Sequence, residues 1–282
     1  MSLRVGSLQL EHVVLNASGT LDPLAAGWAG LAICRELAAI VTKTVTPFAR
    51  EGNPSPRIAE VSGGMINSIG LQNPGIDSFC EDVLPRIAEL GRPIVVSIGG
   101  FSLGDYADLA EQLDGAAGVV ALELNISCPN VETGCIAIGS DVAETEAVVR
   151  GVRERTRLPV WAKLSPNVAD IAAIARAAEA GGAEAVVCIN TLRGLVLDRT
   201  TREPLLGGGT GGLSGPLLKP VALAAVAACS AAISIPVVGV GGISSAEDAR
   251  DFLACGAACV QVGSAAFGRP DLAAQIRHAL AS

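Results

Sequence analysis

Eight short runs rich in β-branched residues recur along the 282-residue chain, at 13–16, 39–43, 93–98, 119–125, 159–164, 185–190, 236–240 and 258–262. None alternates cleanly between apolar and polar residues, which is the pattern of strands buried on both faces of a parallel sheet. Alanine-rich amphipathic stretches, such as 168–180 and 246–255, lie between them. Parallel neighbours need crossover connections, and these are right-handed, so eight strand–helix units of roughly thirty residues close most naturally into an α/β fold of the (β/α)8 TIM-barrel type. A doubly wound open sheet is the alternative. The expected layout is one domain over residues 1–282. Residues 3–11 form a small β-hairpin that plugs the barrel bottom, and two long insertions, 47–77 and 198–215, cover the opposite face as candidate lids.

Aromatic residues are 3% of the chain and the formal net charge is −8. Both the stacking surface and the cationic face of a nucleic-acid binder are therefore missing. Only two histidines occur, His12 and His278, far apart, which speaks against a histidine-rich metal site and against a Ser–His or Cys–His hydrolase. The eight cysteines (Cys34, Cys80, Cys128, Cys135, Cys188, Cys229, Cys255 and Cys259) contain no Cys-x-x-Cys pair, and no secretory signal opens the sequence. Reduced thiols in a cytoplasmic protein are expected, with no metal and no iron–sulfur cluster held by this chain. The mean hydropathy of +0.48 and the uncharged stretch 221–246 raise a membrane span. Pro236 and the glycines at 239, 241 and 242 break it into a helix, a turn and a buried strand, so no membrane partner is expected.

Polar residues gather at the C-terminal ends of the expected strands: Asn16 and Ser18, Lys43 and Thr44, Asn125 with Ser127 and Cys128, Lys163, and Asn190 with Thr191. In a barrel this end is the catalytic rim, and a nearly complete ring of such residues marks a site rather than scattered capping. The runs 237–243 and 260–265 each pass from a strand into glycines and small residues before a helix. Such turns after the last two strands suit a phosphate group, because backbone N–H groups can approach an anion there. The letters of a dinucleotide fingerprint also occur at 207–212, but no strand leads into them, and no P-loop sequence is present. Lys163 at a strand end can hold charge against a developing anion, form a Schiff base, or make a structural salt bridge; Lys43 is open to the same readings. Cys128, held before a proline between Asn125 and Asn130, is placed for proton work, whereas a lone buried cysteine is otherwise an inert small hydrophobe.

Taken together, Asn16-Ala-Ser-Gly19, Thr42-Lys-Thr44, Gly64-Met-Ile-Asn-Ser-Ile-Gly-Leu-Gln-Asn-Pro-Gly75, Asn125-Ile-Ser-Cys-Pro-Asn130, Trp161-Ala-Lys163, Ile189-Asn-Thr191, Gly211-Gly-Leu-Ser-Gly-Pro216 and the two glycine turns resemble the dihydroorotate dehydrogenases, specifically the class 1B catalytic subunit. The resemblance spans nearly the whole chain. It implies one FMN, with its phosphate in the turns at Gly241, Gly242, Gly263 and Ser264. The flavin ring would lie near Ala17, Ser18, Lys43, Thr44, Asn125 and Lys163, with Gly19, Ile189 and Gly215 completing the cofactor set. The pyrimidine is placed by the same resemblance among Lys43, Asn67, Ser68, Ile69, Gly70, Leu71, Asn125, Asn130, Asn190 and Thr191. The implied reaction belongs to pyrimidine biosynthesis: Cys128 removes the C5 proton of dihydroorotate, hydride passes from C6 to flavin N5, and Lys163 stabilises the reduced ring.

Similarity to class 1B further implies a homodimer within a heterotetramer, whose second subunit carries FAD and a [2Fe-2S] cluster and relays electrons to NAD. Two departures stand out. The family continues through a double glycine to a phenylalanine after Asn130, whereas this chain has Gly134-Cys135 and later Ile138; Cys135 is either a bland replacement or a disulfide partner for Cys128. Arg193 after Asn190-Thr191 is also unusual. Competing readings are a flavin enzyme of the dihydropyrimidine dehydrogenase kind, and a non-redox phosphate-binding barrel using Lys163 as an aldolase.

Overall fold

The computed structural model describes residues 3–21, 33–126 and 138–281. The chain opens with β1 (Leu3–Val5) and β2 (Leu8–Leu10), followed by β3 (Val14–Asn16), β4 (Ile40–Val41), β5 (Ile58–Val61) and β6 (Gly64–Asn67). Helix α1 covers 76–88, with a π-helical middle at Phe79–Val83. Next come β7 (Ile94–Ile98), α2 (Leu103–Leu113), β8 (Val119–Asn125), α3 (Val142–Arg153), β9 (Val160–Leu164) and α4 (Ile171–Ala180). Then follow β10 (Ala185–Cys188), β11 (Leu192–Gly194), β12 (Gly211–Ser214), α5 (Lys219–Ala232) and β13 (Val237–Val240). The last elements are α6 (Ala246–Ala254), β14 (Ala257–Val262), α7 (Ala265–Gly268) and α8 (Leu272–Ala281).

Eight strands form one sheet in the order β3-β14-β13-β10-β9-β8-β7-β4, with every pairing parallel. This is the expected (β/α)8 barrel. Its seam lies between β3 and β4, where Ala38 N–H donates to the Val14 carbonyl at 2.9 Å. There the Asn16 carboxamide substitutes for a peptide: Nδ2 donates to the Val41 carbonyl at 2.8 Å and Oδ1 accepts from the Val41 N–H at 2.9 Å. Asn16 was expected on the rim; it is instead 4% exposed and spends its amide closing the barrel.

Strand alternation divides the apolar residues into two cores, which explains why the runs carry no polar period. Val160, Ala162 and Leu164 of β9 face the helices, while Trp161 joins Leu15, Val41, Val95, Ala121, Val187, Val238 and Cys259 inside the barrel. Val5 and Leu10 of the β1–β2 hairpin belong to the inner core, so the hairpin closes the lower end as expected. Helices α2, α3, α4 and α6 start on side-chain caps: Ser102, Asp141, Asp170 and Ser245 each accept from the N–H three residues on.

The two long insertions are not separate loops. They meet in a four-stranded antiparallel sheet, β11-β12-β6-β5, in which Asn67 pairs with Gly212 and Ile66 with Leu213. The uncharged stretch 221–246 resolves into α5, a turn and β13, and among the described residues no helix is long and apolar enough to cross a membrane.

Candidate active site

The C-terminal ends of the barrel strands and the small antiparallel sheet enclose a cavity of about 450 Å³, within the usual range of a ligand pocket. Around its wall lie Ala17, Ser18 and Gly19 after β3, Lys43 and Thr44 after β4, Asn125 at the end of β8, and Lys163 on β9. Ile189, Asn190 and Thr191 follow β10, Gly241 and Gly242 follow β13, and Gly263 and Ser264 follow β14. From the antiparallel sheet come Asn67 on β6, then Ser68, Ile69, Gly70 and Leu71, together with Gly215 after β12. Cys128, Asn130, Ser127 and Cys135 fall outside the described residues.

The polar groups on this wall hold one another. Thr44 Oγ1 lies 3.5 Å from Ser18 Oγ and 2.9 Å from Ser97 Oγ, and accepts from Asn125 Nδ2 at 3.1 Å. Asn125 Oδ1 in turn accepts from Asn190 Nδ2 at 3.2 Å, and the Tyr106 hydroxyl donates to the Asn125 carbonyl at 2.8 Å. The chain of bonds runs across β4, β7, β8 and β10, so the two carboxamides are fixed in orientation before any ligand arrives. Leu71, with φ +56°, is one of two non-glycine residues in the left-handed region among those described, and it lies on the cavity wall.

Lys163 is 8% exposed at its side chain and its Nζ stands 3.6 Å from Oε1 of Glu123, a carboxylate with no solvent exposure. Oε2 of Glu123 accepts from Gln261 Nε2 at 2.7 Å. The salt-bridge reading of Lys163 is thus real, and it coexists with a place on the cavity wall. Glu123 and Gln261 escaped the sequence reading. The signal was there for Glu123: a lone acid two residues before Asn125 in an apolar run shares its inward face. Asn167 was also missed; its amide joins the Arg193 N–H at 2.8 Å to the Thr191 carbonyl at 3.1 Å, and no periodicity betrays a loop residue of this kind. Of the twenty lysines and arginines only Lys43, Lys163 and Lys219 are lysines, and the first two line the cavity. Lys219 borders the Gly242 turn.

The glycine turns have a backbone geometry that could receive an anion. Gly241 and Gly242 have φ of +132° and +74°, and a Cβ on Gly242 would meet the Lys219 backbone N at 2.8 Å. Among the described residues the N–H groups of Gly242, Gly263 and Ser264 make no backbone hydrogen bond. Lys219 pairs with Asp248 at 2.5 Å and Asp251 at 2.7 Å beside this turn. Burial pushes the Asp248 carboxyl upward, but Lys219 and hydrogen bonds from Ser244 and Ser245 outweigh it and hold the group at about 2. The glycines at 211 and 212 do something different. They lie in β12, where a Cβ would strike the Asn67 carbonyl or the Thr191 hydroxyl, so they serve close packing and not a dinucleotide. Cys259 is a buried thiol whose desolvation pushes it up to about 12, as an inert core cysteine should be.

A family model described as "Dihydroorotate dehydrogenase" matches residues 1–282. The chain belongs to the dihydroorotate dehydrogenase family. It is 50% identical over 275 residues to a protein of Desulforudis audaxviator named "Dihydroorotate dehydrogenase B (NAD(+)), catalytic subunit", covering 98% of this chain and 89% of that one. Proteins of the same name are 47% identical over 280 residues in Solidesulfovibrio magneticus (99% and 91% covered) and 44% over 276 residues in Bacillus pumilus (98% and 89%). The dihydroorotate dehydrogenase family is a flavin-dependent group of oxidoreductases. The residues present fit such a group: among the described residues, N–H donors of Gly242, Gly263 and Ser264 that make no backbone hydrogen bond, a turn at Gly242 that admits no side chain, a cavity of suitable volume, and a nearly buried ammonium on its wall.

Proposed function

We propose that the chain is the FMN-bearing catalytic subunit of a dihydroorotate dehydrogenase, oxidising dihydroorotate to orotate in pyrimidine biosynthesis. The observation that carries the reading is the cavity's two-sided chemistry. Unpaired glycine N–H groups for a phosphate line one part of the wall, and Asn67, Asn125, Asn190 and Lys43 line another. Gly241, Gly242, Gly263 and Ser264 hold the cofactor phosphate, and Ala17, Ser18, Gly19, Thr44, Ile189 and Gly215 border its ring. Bound FMN supplies the acceptor for the hydride leaving C6.

The chain's own residues do the remainder. Asn67, Asn125, Asn130, Asn190 and Thr191 meet the hydrogen-bonding edges of the pyrimidine, while Lys43 and the backbone at 68–71 receive its carboxylate. Cys128 takes the C5 proton, and Lys163 supplies positive charge where negative charge develops on the reacting system. The antiparallel sheet over the barrel mouth excludes water. Electrons leave to NAD through a partner subunit carrying FAD and a [2Fe-2S] cluster, in a heterotetramer built on a homodimer of this chain. The net charge of −8 makes Lys43 the more important for an anionic substrate.

Turnover of dihydroorotate and dihydrouracil by the purified protein tests the reading. Dihydroorotate should be the substrate, and Lys43→Met should raise its KM by about tenfold or more, the worth of one charge-assisted contact. Turnover of dihydrouracil alone contradicts the reading.

A further inference from the structure

The inside of the barrel is apolar at its lower levels, yet beneath the cavity it carries Glu123, with no solvent exposure. A carboxylate so placed costs several kcal/mol unless paired, and a hydrophobic residue of similar volume would fill the space without that penalty. Its partners come from two other strands: Gln261 of β14 donates to Oε2 at 2.7 Å, and Lys163 of β9 approaches Oε1 to 3.6 Å. The second contact is an ion pair too long for a hydrogen bond. Among the described residues the Lys163 ammonium makes no hydrogen bond, although its side chain is only 8% exposed. Three donors on a nearly buried cation are thus left for something in the cavity, while the charge beneath them fixes where the cation sits.

We propose that Glu123, itself oriented by Gln261, is the positioning residue for Lys163, anchoring the ammonium from below with its N–H donors directed to the flavin. The proposal rests on the functional reading of Lys163 given above. Glu123 does not line the cavity, so its effect passes through Lys163. Electrostatic help in a water-poor site depends on a charge already in place, and displacement of a catalytic group by an ångström is enough to lose rate.

A double-mutant cycle on the full-length holoprotein tests this, with Glu123→Gln, Lys163→Met and the pair together. The readouts are the FMN dissociation constant, by flavin fluorescence, and the single-turnover rate of flavin reduction by dihydroorotate. Glu123→Gln should slow flavin reduction by about tenfold or more and weaken FMN binding, with the dihydroorotate KM changed by less than about twofold. In the Lys163→Met background the same substitution should change either quantity by less than about twofold. Gln261→Leu keeps the Glu123 charge but frees it, and should give a smaller loss of the same sign that also disappears without Lys163. If Glu123→Gln does not fold, this variant carries the cycle. Equal losses with and without Lys163 overturn the proposal, as does an unaltered rate in Glu123→Gln. A wild-type protein that binds no flavin overturns the functional reading as well, whereas a wild type that reduces flavin while the two substitutions are additive overturns this inference alone.

Discussion

At the lower end of the barrel, Val5 and Leu10 of the hairpin meet Leu15, Val41, Val95, Trp161 and Val187, all buried. At the upper end the same strands run out into Ser18, Lys43, Thr44, Asn125, Lys163 and Asn190 around a cavity. One end is filled with apolar side chains; the other keeps a nearly buried ammonium and, among the described residues, backbone N–H groups that make no backbone hydrogen bond. The comparison teaches that stability and chemistry are separated along a single axis. Substitutions below should change folding and spare the ligands, and substitutions above should do the reverse.

The sharpest break in that comparison is Cys128→Ala. Loss of the proposed base should slow dihydroorotate-driven flavin reduction by about 10²–10⁴-fold while flavin stays bound, read by anaerobic stopped-flow. At the other end, Leu15→Ala should remove about 3 kcal/mol of stability in a urea titration and leave the FMN dissociation constant within about twofold. A comparable change in both would show that the two ends are not independent. Gly242→Ala adds a Cβ where φ is +74° and the Lys219 backbone lies 2.8 Å away. It should weaken FMN by about tenfold, the order expected from left-handed strain, with measurement by equilibrium fluorescence.

The smallest effect concerns pH. Asp248 is held at about 2, below its ordinary 3.8, so its contribution to stability is present above about pH 4 and lost as the pH falls towards 2. The difference in melting temperature between the wild type and Asp248→Asn should therefore be largest above pH 4 and shrink towards pH 2.

What the sequence revealed follows from where each signal is local. The eight runs are readable because both faces of a barrel strand are apolar, and the rim is readable because polar residues there follow those runs directly. Run boundaries are less legible: 39–43 contracts to Ile40–Val41, since β4 pairs with β7 over two residues only. The antiparallel sheet over the mouth left no trace, because its strands are three or four residues long and Asn67 must find Gly212 far along the chain. Asn16 was misplaced for a related reason: a carboxamide at a strand end looks the same whether it faces a ligand or bridges a seam to Val41. Glu123 and Gln261 meet across the barrel lumen, a contact between β8 and β14 that no spacing within either strand encodes.

Anaerobic mixing of the purified protein with dihydroorotate, followed by visible absorption, tests the central claim most directly. The account predicts a yellow protein whose flavin band bleaches stoichiometrically, one flavin per chain, with orotate appearing in step. A colourless protein, or a flavin band that dihydroorotate leaves unchanged, would contradict it.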